Sequence, residues 1–264
     1  MRRLLLAAGL AIVAALALTG SAAAQPPIVR PAEEGNLRGI ELGRQLFAAN
    51  CSSCHGGIGQ GIFPPEGTHS ANNVDGAGPP VVGTGRLAPD FYLRTGYMPL
   101  AHPDEQPERG RPSFDEREIR ALVDYIASLG GGPPIPTPHP ESASLSRGFT
   151  LFTEHCAGCH QAVARGGVVT GAKVPPLSHV TPVQIAEAVR IGPYLMPSFS
   201  KRAISDAELD SIIAYVQYAK HPDDRGGWAI AHLGPFPEGL VAWGIGSVVL
   251  VLLCVLIGER LKRR

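Results

Sequence analysis

An excess of charge of either sign is what this chain most plainly lacks: 23 basic residues stand against 23 acidic ones in 264. A balanced chain has no electrostatic footprint for a polyanion, which excludes nucleic acid as a partner. Methionine is scarce, and of the three present only Met98 and Met196 are internal. Cysteine is held to five. No βαβ pattern is visible, so a thioredoxin-like redox pair has no setting here. A large apolar core is missing too. Glycine (32) and proline (25) make up about a fifth of the chain, against an average of about 12%. That composition leaves short helices set in long loops.

Four of the five cysteines fall in two copies of one motif, Cys51-Ser52-Ser53-Cys54-His55 and Cys156-Ala157-Gly158-Cys159-His160. C-x-x-C-H is the attachment signature of c-type haem. Two thiols must add across the two vinyl groups on one porphyrin edge, and two intervening residues on a helical turn set that separation. The next side chain is then aimed at the iron as its proximal ligand. A four-cysteine zinc site and two local disulfides are the alternatives. Zinc uses the cysteine pairs but leaves the histidine after each second cysteine without a role. The motifs therefore predict two covalently bound haem c groups. Cys51, Cys54 and His55 hold the first, and Cys156, Cys159 and His160 the second. Each haem supplies the core that the composition withholds.

Both ends of the chain carry membrane signals. Arg2 and Arg3 precede an uncharged apolar run from Leu4 to Leu18, and Ala22-Ala23-Ala24 offers a cleavage site before Gln25. Residues 1–24 are expected to be a signal peptide. Gly239 to Gly258 carries no charge and is long enough to cross a bilayer as a single helix. Arg260, Lys262, Arg263 and Arg264 follow at once. The positive-inside bias puts tail 259–264 in the cytoplasm, with the haem domains on the extracytoplasmic side of the cell membrane. Trp243 is placed to anchor one end of the span, and Cys254 reads as a small apolar residue within it.

Between these ends the chain reads as a tandem duplication. Leu37 to Ala49 has helical spacing, with Leu37, Ile40, Leu42, Leu46 and Phe47 on a broad face, and runs into the first haem motif. Leu145 to His155, with Phe149, Leu151 and Phe152, does the same for the second. The two helices match as Gly43-x-x-x-Phe47 and Gly148-x-x-x-Phe152. Pro79-Pro80-Val81 and Pro175-Pro176-Leu177 follow, then Met98-Pro99 and Met196-Pro197. Closing helices are expected at Asp115 to Leu129 and Ser205 to Ala219. Asp115 with Glu118, and Ser205 with Glu208, have the look of capping boxes. The reading is mainly α, with domain 1 at 37–130, a Pro-rich linker at 131–140, domain 2 at 141–221 and a transmembrane helix at 239–258.

Each iron needs a sixth ligand, and Met98 and Met196 stand at the same place in each repeat. The following proline favours an extended backbone, so both are presented from taut loops. A thioether opposite histidine raises the reduction potential. His69, His102 and His179 are rivals, but none has a counterpart in the other repeat. A ligating histidine usually gives its other N–H to a fixed acceptor; the carbonyls of Pro79 and Pro175 are the candidates. With His55 and Met98 on one iron, and His160 and Met196 on the other, no open position remains. The chain is expected to pass electrons singly and do no bond chemistry, which argues against a dihaem peroxidase.

Each repeat resembles a class I cytochrome c domain: a helix into C-x-x-C-H, a Pro-x-(Leu/Val) loop, Met-Pro, then a closing helix. The whole chain resembles the dihaem cytochrome c subunit of the actinobacterial cytochrome bcc complex, a bc1-type menaquinol:cytochrome c reductase. The specific part is Gly234-Pro235-Phe236-Pro237-Glu238-Gly239-Leu240-Val241-Ala242-Trp243. The resemblance implies that Gly43 and Phe47 pack on Tyr125, and Gly148 and Phe152 on Tyr215. It also implies an electron-transfer subunit of a quinol:cytochrome c oxidoreductase. Electrons then come from the Rieske iron–sulfur subunit, beside a cytochrome b subunit, and go to a terminal aa3-type oxidase. The charged loop from His102 to Asp115 departs from the family pattern and bears on which surface domain 1 docks with. The alternative is a dihaem electron acceptor of a periplasmic dehydrogenase, which shares the two domains but not the anchor segment.

Overall fold

The computed structural model describes residues 27–62, 78–102, 105–222 and 235–263. The expected signal peptide, His69 and the approach to the span before residue 235 lie outside them. The described chain is mainly helical and contains two similar domains.

In the first domain, α1 (Gly39–Asn50) leads into a single turn, α2 (Ser52–His55). A third helix, α3 (Leu87–Arg94), and the closing helix α4 (Glu116–Ser128) follow. α1 lies across α4 at very short range. A Cβ on Gly43 would stand 2.0 Å from the Ala121 carbonyl oxygen and 2.7 Å from Tyr125 Cβ, so only glycine fits. One turn on, the Phe47 and Tyr125 rings pack with centroids 5.4 Å apart. The buried face of α1 is Leu42, Gly43, Leu46 and Phe47. Ile40, expected on that face, is 52% exposed. At about 100° per residue it sits about a quarter-turn from the centre of the buried set.

The second domain repeats the plan. α5 (Leu145–His155) runs into the turn α6 (Ala157–His160), and the closing helix is named α8 (Asp206–Lys220) below. A Cβ on Gly148 would stand 1.9 Å from the Ser211 carbonyl oxygen, and Phe152 meets Tyr215 at 5.3 Å. Phe149 is half exposed but sets its edge against the same tyrosine at 5.3 Å. Between the motif and α8 lie a hairpin, β1 (Gly167–Val169) with β2 (Ala172–Val174), and α7 (Pro182–Ile191).

Both closing helices start from capping boxes. The Glu118 amide donates to Asp115 Oδ1 at 2.8 Å, and the Asp115 amide donates to Glu118 Oε2 at 2.6 Å. Ser205 and Glu208 make the matching pair. Each glutamate also takes an arginine. Arg30 Nε donates to the fully buried Glu118 at 2.6 Å, and Arg147 to Glu208 at 2.8 Å. A buried carboxylate needs such a partner.

The two domains meet through α3 and α7. Neither helix was expected. α7 had a legible start, since Thr181, Pro182 and Gln184 form a capping box. The linker lies along both domains: the Pro133 carbonyl accepts the amides of Arg86 and Leu87, and the His139 amide donates to Asp210 at 2.8 Å. The last element, α9 (Pro235–Lys262), is long and apolar enough over Gly239–Lys262 to cross a membrane, and none of that stretch is buried. It extends four residues past the expected uncharged span. Trp243 is 74% exposed on it.

Candidate haem sites

Each motif is one helical turn hung from the end of a longer helix. Cys51 takes φ −123° and ψ −29°, and Cys156 takes φ −123° and ψ −35°, so the chain breaks in the same way at both. The His55 amide then donates to the Cys51 carbonyl at 2.9 Å, and the His160 amide to the Cys156 carbonyl at 2.9 Å. Cysteines three apart on such a turn share a side, and the histidine follows at its end.

The histidines are held from behind. His55 Nδ1 lies 2.7 Å from the Pro79 carbonyl oxygen, and His160 Nδ1 lies 3.3 Å from that of Pro175. Both expected acceptors are therefore in place. An imidazole that donates from Nδ1 leaves the lone pair of Nε2 for a metal. Burial draws the His160 pKa down, against the opposing pull of the Pro175 carbonyl. The first cysteine of each pair is sunk in apolar surroundings. Burial, helped by Cys54, pushes the Cys51 thiol up to about 12, and burial with Cys159 pushes Cys156 up to about 11.

In the second domain, Cys156, Cys159, His160, Pro175 and Met196 line one cleft, floored by apolar side chains such as Ile185, Val189, Ile212 and Val216. This donor set fits a haem c: two sulfurs, one imidazole and one thioether around an apolar slot. In the first domain, Cys51, Val81 and Met98 border the same apolar core as Leu46 and Phe47. Residues 63–77, which follow its motif, are outside the described set. Of the rival histidines, His102 is exposed. The His179 carbonyl accepts from Arg109. His155 lines the second cleft and sets its ring 6.1 Å from Phe199.

The part the first domain plays at this second cleft has no signature in the sequence. Phe91, Tyr97, Gln106, Pro107 and Arg109 all line it. The last three belong to the charged loop from His102 to Asp115. That loop is spent on the neighbouring domain. Gln106 Nε2 donates to the Lys173 carbonyl at 2.6 Å, the Lys173 amide returns a bond to Gln106 at 2.9 Å, and Lys173 pairs with Glu108 at 3.2 Å.

The α3–α7 contact holds an unusual pair of acids. Glu187 is fully buried and Asp90 is 3% exposed. Burial first, and Asp90 second, push the Glu187 carboxyl well above the carboxylate range. No described neighbour donates a proton to either Glu187 oxygen. Two carboxylates facing each other offer only acceptors, and a proton kept on Glu187 provides the donor. Asp90 in turn takes Arg94 Nε at 2.8 and 2.9 Å.

Comparison with known proteins agrees with this architecture. A family model described as cytochrome c matches residues 40–130, and one described as cytochrome c oxidase, cbb3-type, subunit III matches residues 143–216. A cytochrome bc1 complex cytochrome c subunit of Mycobacterium tuberculosis is 35% identical, over 97% of this chain and 91% of that protein. Its counterpart in Corynebacterium diphtheriae is 33% identical, over 88% of this chain and 85% of its own length. A cbb3-type cytochrome c oxidase subunit CcoP of Azospirillum sp. is 28% identical over 66% of this chain and 60% of that protein.

Proposed function

Because the chain belongs to the family of cytochrome bc1 complex cytochrome c subunits, we propose that it holds two haem c groups and relays electrons from a quinol-oxidising complex to a terminal oxidase. The observation that carries this reading is the repeated site. The same cysteine–histidine turn, backed by a proline carbonyl and accompanied by one methionine, occurs in both domains of a chain that ends in a membrane-length apolar helix. When bound, a haem c supplies a one-electron couple.

The protein's own residues do the rest. Cys51 with Cys54, and Cys156 with Cys159, would tether the two groups as thioethers. His55 and His160 would offer imidazole nitrogen to the iron, each ring held by its proline carbonyl. Met98 and Met196 would offer the thioether sulfur, a ligand that raises the potential. The second cleft is walled mainly by apolar side chains, which would shield a bound haem from water. Electrons enter from the Rieske iron–sulfur subunit beside cytochrome b, and leave for an aa3-type oxidase. The C-terminal helix holds both domains on the extracytoplasmic side, where tethering raises their effective concentration at fixed partners.

Extraction in mild detergent tests the assembly. The protein should emerge with cytochrome b and Rieske subunits in a complex that oxidises quinol. A chain truncated after Glu238 should keep normal haem spectra but support little quinol-to-oxidase flow. Full flow in the truncated strain would overturn the anchored-subunit reading and favour a dehydrogenase acceptor.

A further inference from the structure

Arg109 meets no carboxylate with its charge among the described residues. It belongs to the first domain, yet its guanidinium is half-buried against the second. It donates to the His179 carbonyl at 3.1 Å and to Gln184 Oε1 at 2.9 Å, both neutral acceptors. Among the described residues no carboxylate pairs with it. Its near neighbour Glu108 is turned to Lys173, the other long cation on the lining. Burial draws the Arg109 pKa down, with Tyr97 opposing. A cation drawn partly out of water is better satisfied by a counter-ion than by neutral acceptors alone, so this place suits an anion that arrives from elsewhere.

The cleft supplies the identity of that anion. Arg109 lines the same cavity as Cys156, Cys159, His160 and Met196. The cysteines fix the vinyl edge of a porphyrin, and a haem carries its two propionate carboxylates on another edge. The loop that brings Arg109 there is clamped by the paired Gln106–Lys173 bonds, so the guanidinium is positioned before any haem is bound.

We infer that Arg109, contributed by the first domain, binds a propionate of the haem held in the second domain. The second site is then complete only when the two domains are docked. The inference rests on the haem reading above and deepens it. Arg109 is a positioning residue: it does not ligate the iron, but it neutralises a carboxylate beside it. A cation there favours the reduced haem and lifts its potential. It also keeps the propionate ionised through neutral pH, so the potential of this haem does not vary with pH in that range.

The test uses the full-length protein in its complex. A mass measurement on the denatured chain comes first. Fewer than two covalent haems would sink the haem reading itself, whatever Arg109 does. With two haems present, a redox titration followed in the haem absorption band compares wild type with Arg109→Gln and Arg109→Lys. The wave of the second haem is the one that Met196→Leu displaces. In R109Q that wave should fall by roughly tenfold in its reduction equilibrium, ~59 mV for one electron, with the other wave unmoved. A pH slope between about pH 6 and pH 8 should appear on it as the freed propionate titrates. R109K keeps the charge and should hold the wave near wild type. Superimposable waves in R109Q and wild type would overturn the inference, as would equal shifts in R109K and R109Q without a pH slope, which is the mark of a purely structural tie. Should R109Q fail to accumulate, the wild-type wave decides: flat from pH 6 to pH 8 supports the pairing, and a clear slope contradicts it.

Discussion

On the proposed reading, the redox behaviour turns on Met98 and Met196. Each is partly buried against the core of its own domain, so the two sites answer to separate side chains. Replacing either with leucine should lower the potential of one haem and leave the other nearly unchanged, read by redox titration. An unaltered titration in both variants would remove methionine from the axial position. The two glycines at the helix crossings make a second prediction. Gly43→Ala or Gly148→Ala sets a methyl group against a backbone carbonyl at 2.0 or 1.9 Å, and the helices must move apart. Overpacking of this kind typically costs about 1–3 kcal/mol, visible as a lowered midpoint of thermal unfolding. At this scale the sequence was most readable where residue type is dictated by covalent chemistry or contact, as at the cysteines, the histidines and these glycines. It was least readable at Ile40 and Phe149, whose apolar character implied burial that the helix rotation does not give them.

Among the elements, the closing helices were legible because their starts are written in capping chemistry, with Asp115 and Glu118 or Ser205 and Glu208 placed three apart. α3 was not. It lacks a side-chain cap and is eight residues long, so what stabilises it is its seat against α7 and α4, a tertiary fact. The acids at that seat predict a pH response. Glu187 is pushed from its ordinary 4.5 up to about 9 by burial and by Asp90, with the Arg94 cation opposing. Arg94 itself is shared between Asp90 and Glu116. Below pH 4.5 the carboxyl is protonated folded or unfolded, and its contribution to stability is whole. Above that the unfolded chain sheds the proton while the folded chain keeps it, so the contribution declines until about pH 9. Thermal midpoints taken between pH 5 and pH 8.5 should therefore fall less in Glu187→Gln than in wild type. Parallel profiles would show that Glu187 already ionises in the folded protein.

For the whole molecule, the sequence disclosed the count of domains and the membrane-length helix, because duplication and long apolar runs survive in one dimension. It did not disclose that the domains dock on each other, or that a loop of the first walls the cleft of the second. Those contacts join residues about 65 to 75 positions apart, such as Gln106 with Lys173 and Arg109 with Gln184, and no local pattern marks them. Docked domains would hold two haems at a fixed separation, which suits a relay better than two beads on a free string.

If quinol electrons pass through this chain on their way to oxygen, rapid-mixing spectroscopy of the detergent-extracted complex should catch them on it. Quinol is added without oxygen, then oxygen is admitted, while the haem c and haem b bands are followed. Both haem c groups should become reduced within turnover and be reoxidised when oxygen arrives. Quinol oxidation that proceeds with haem c remaining oxidised and cytochrome b reduced, or haem c that stays reduced in oxygen, would contradict that route.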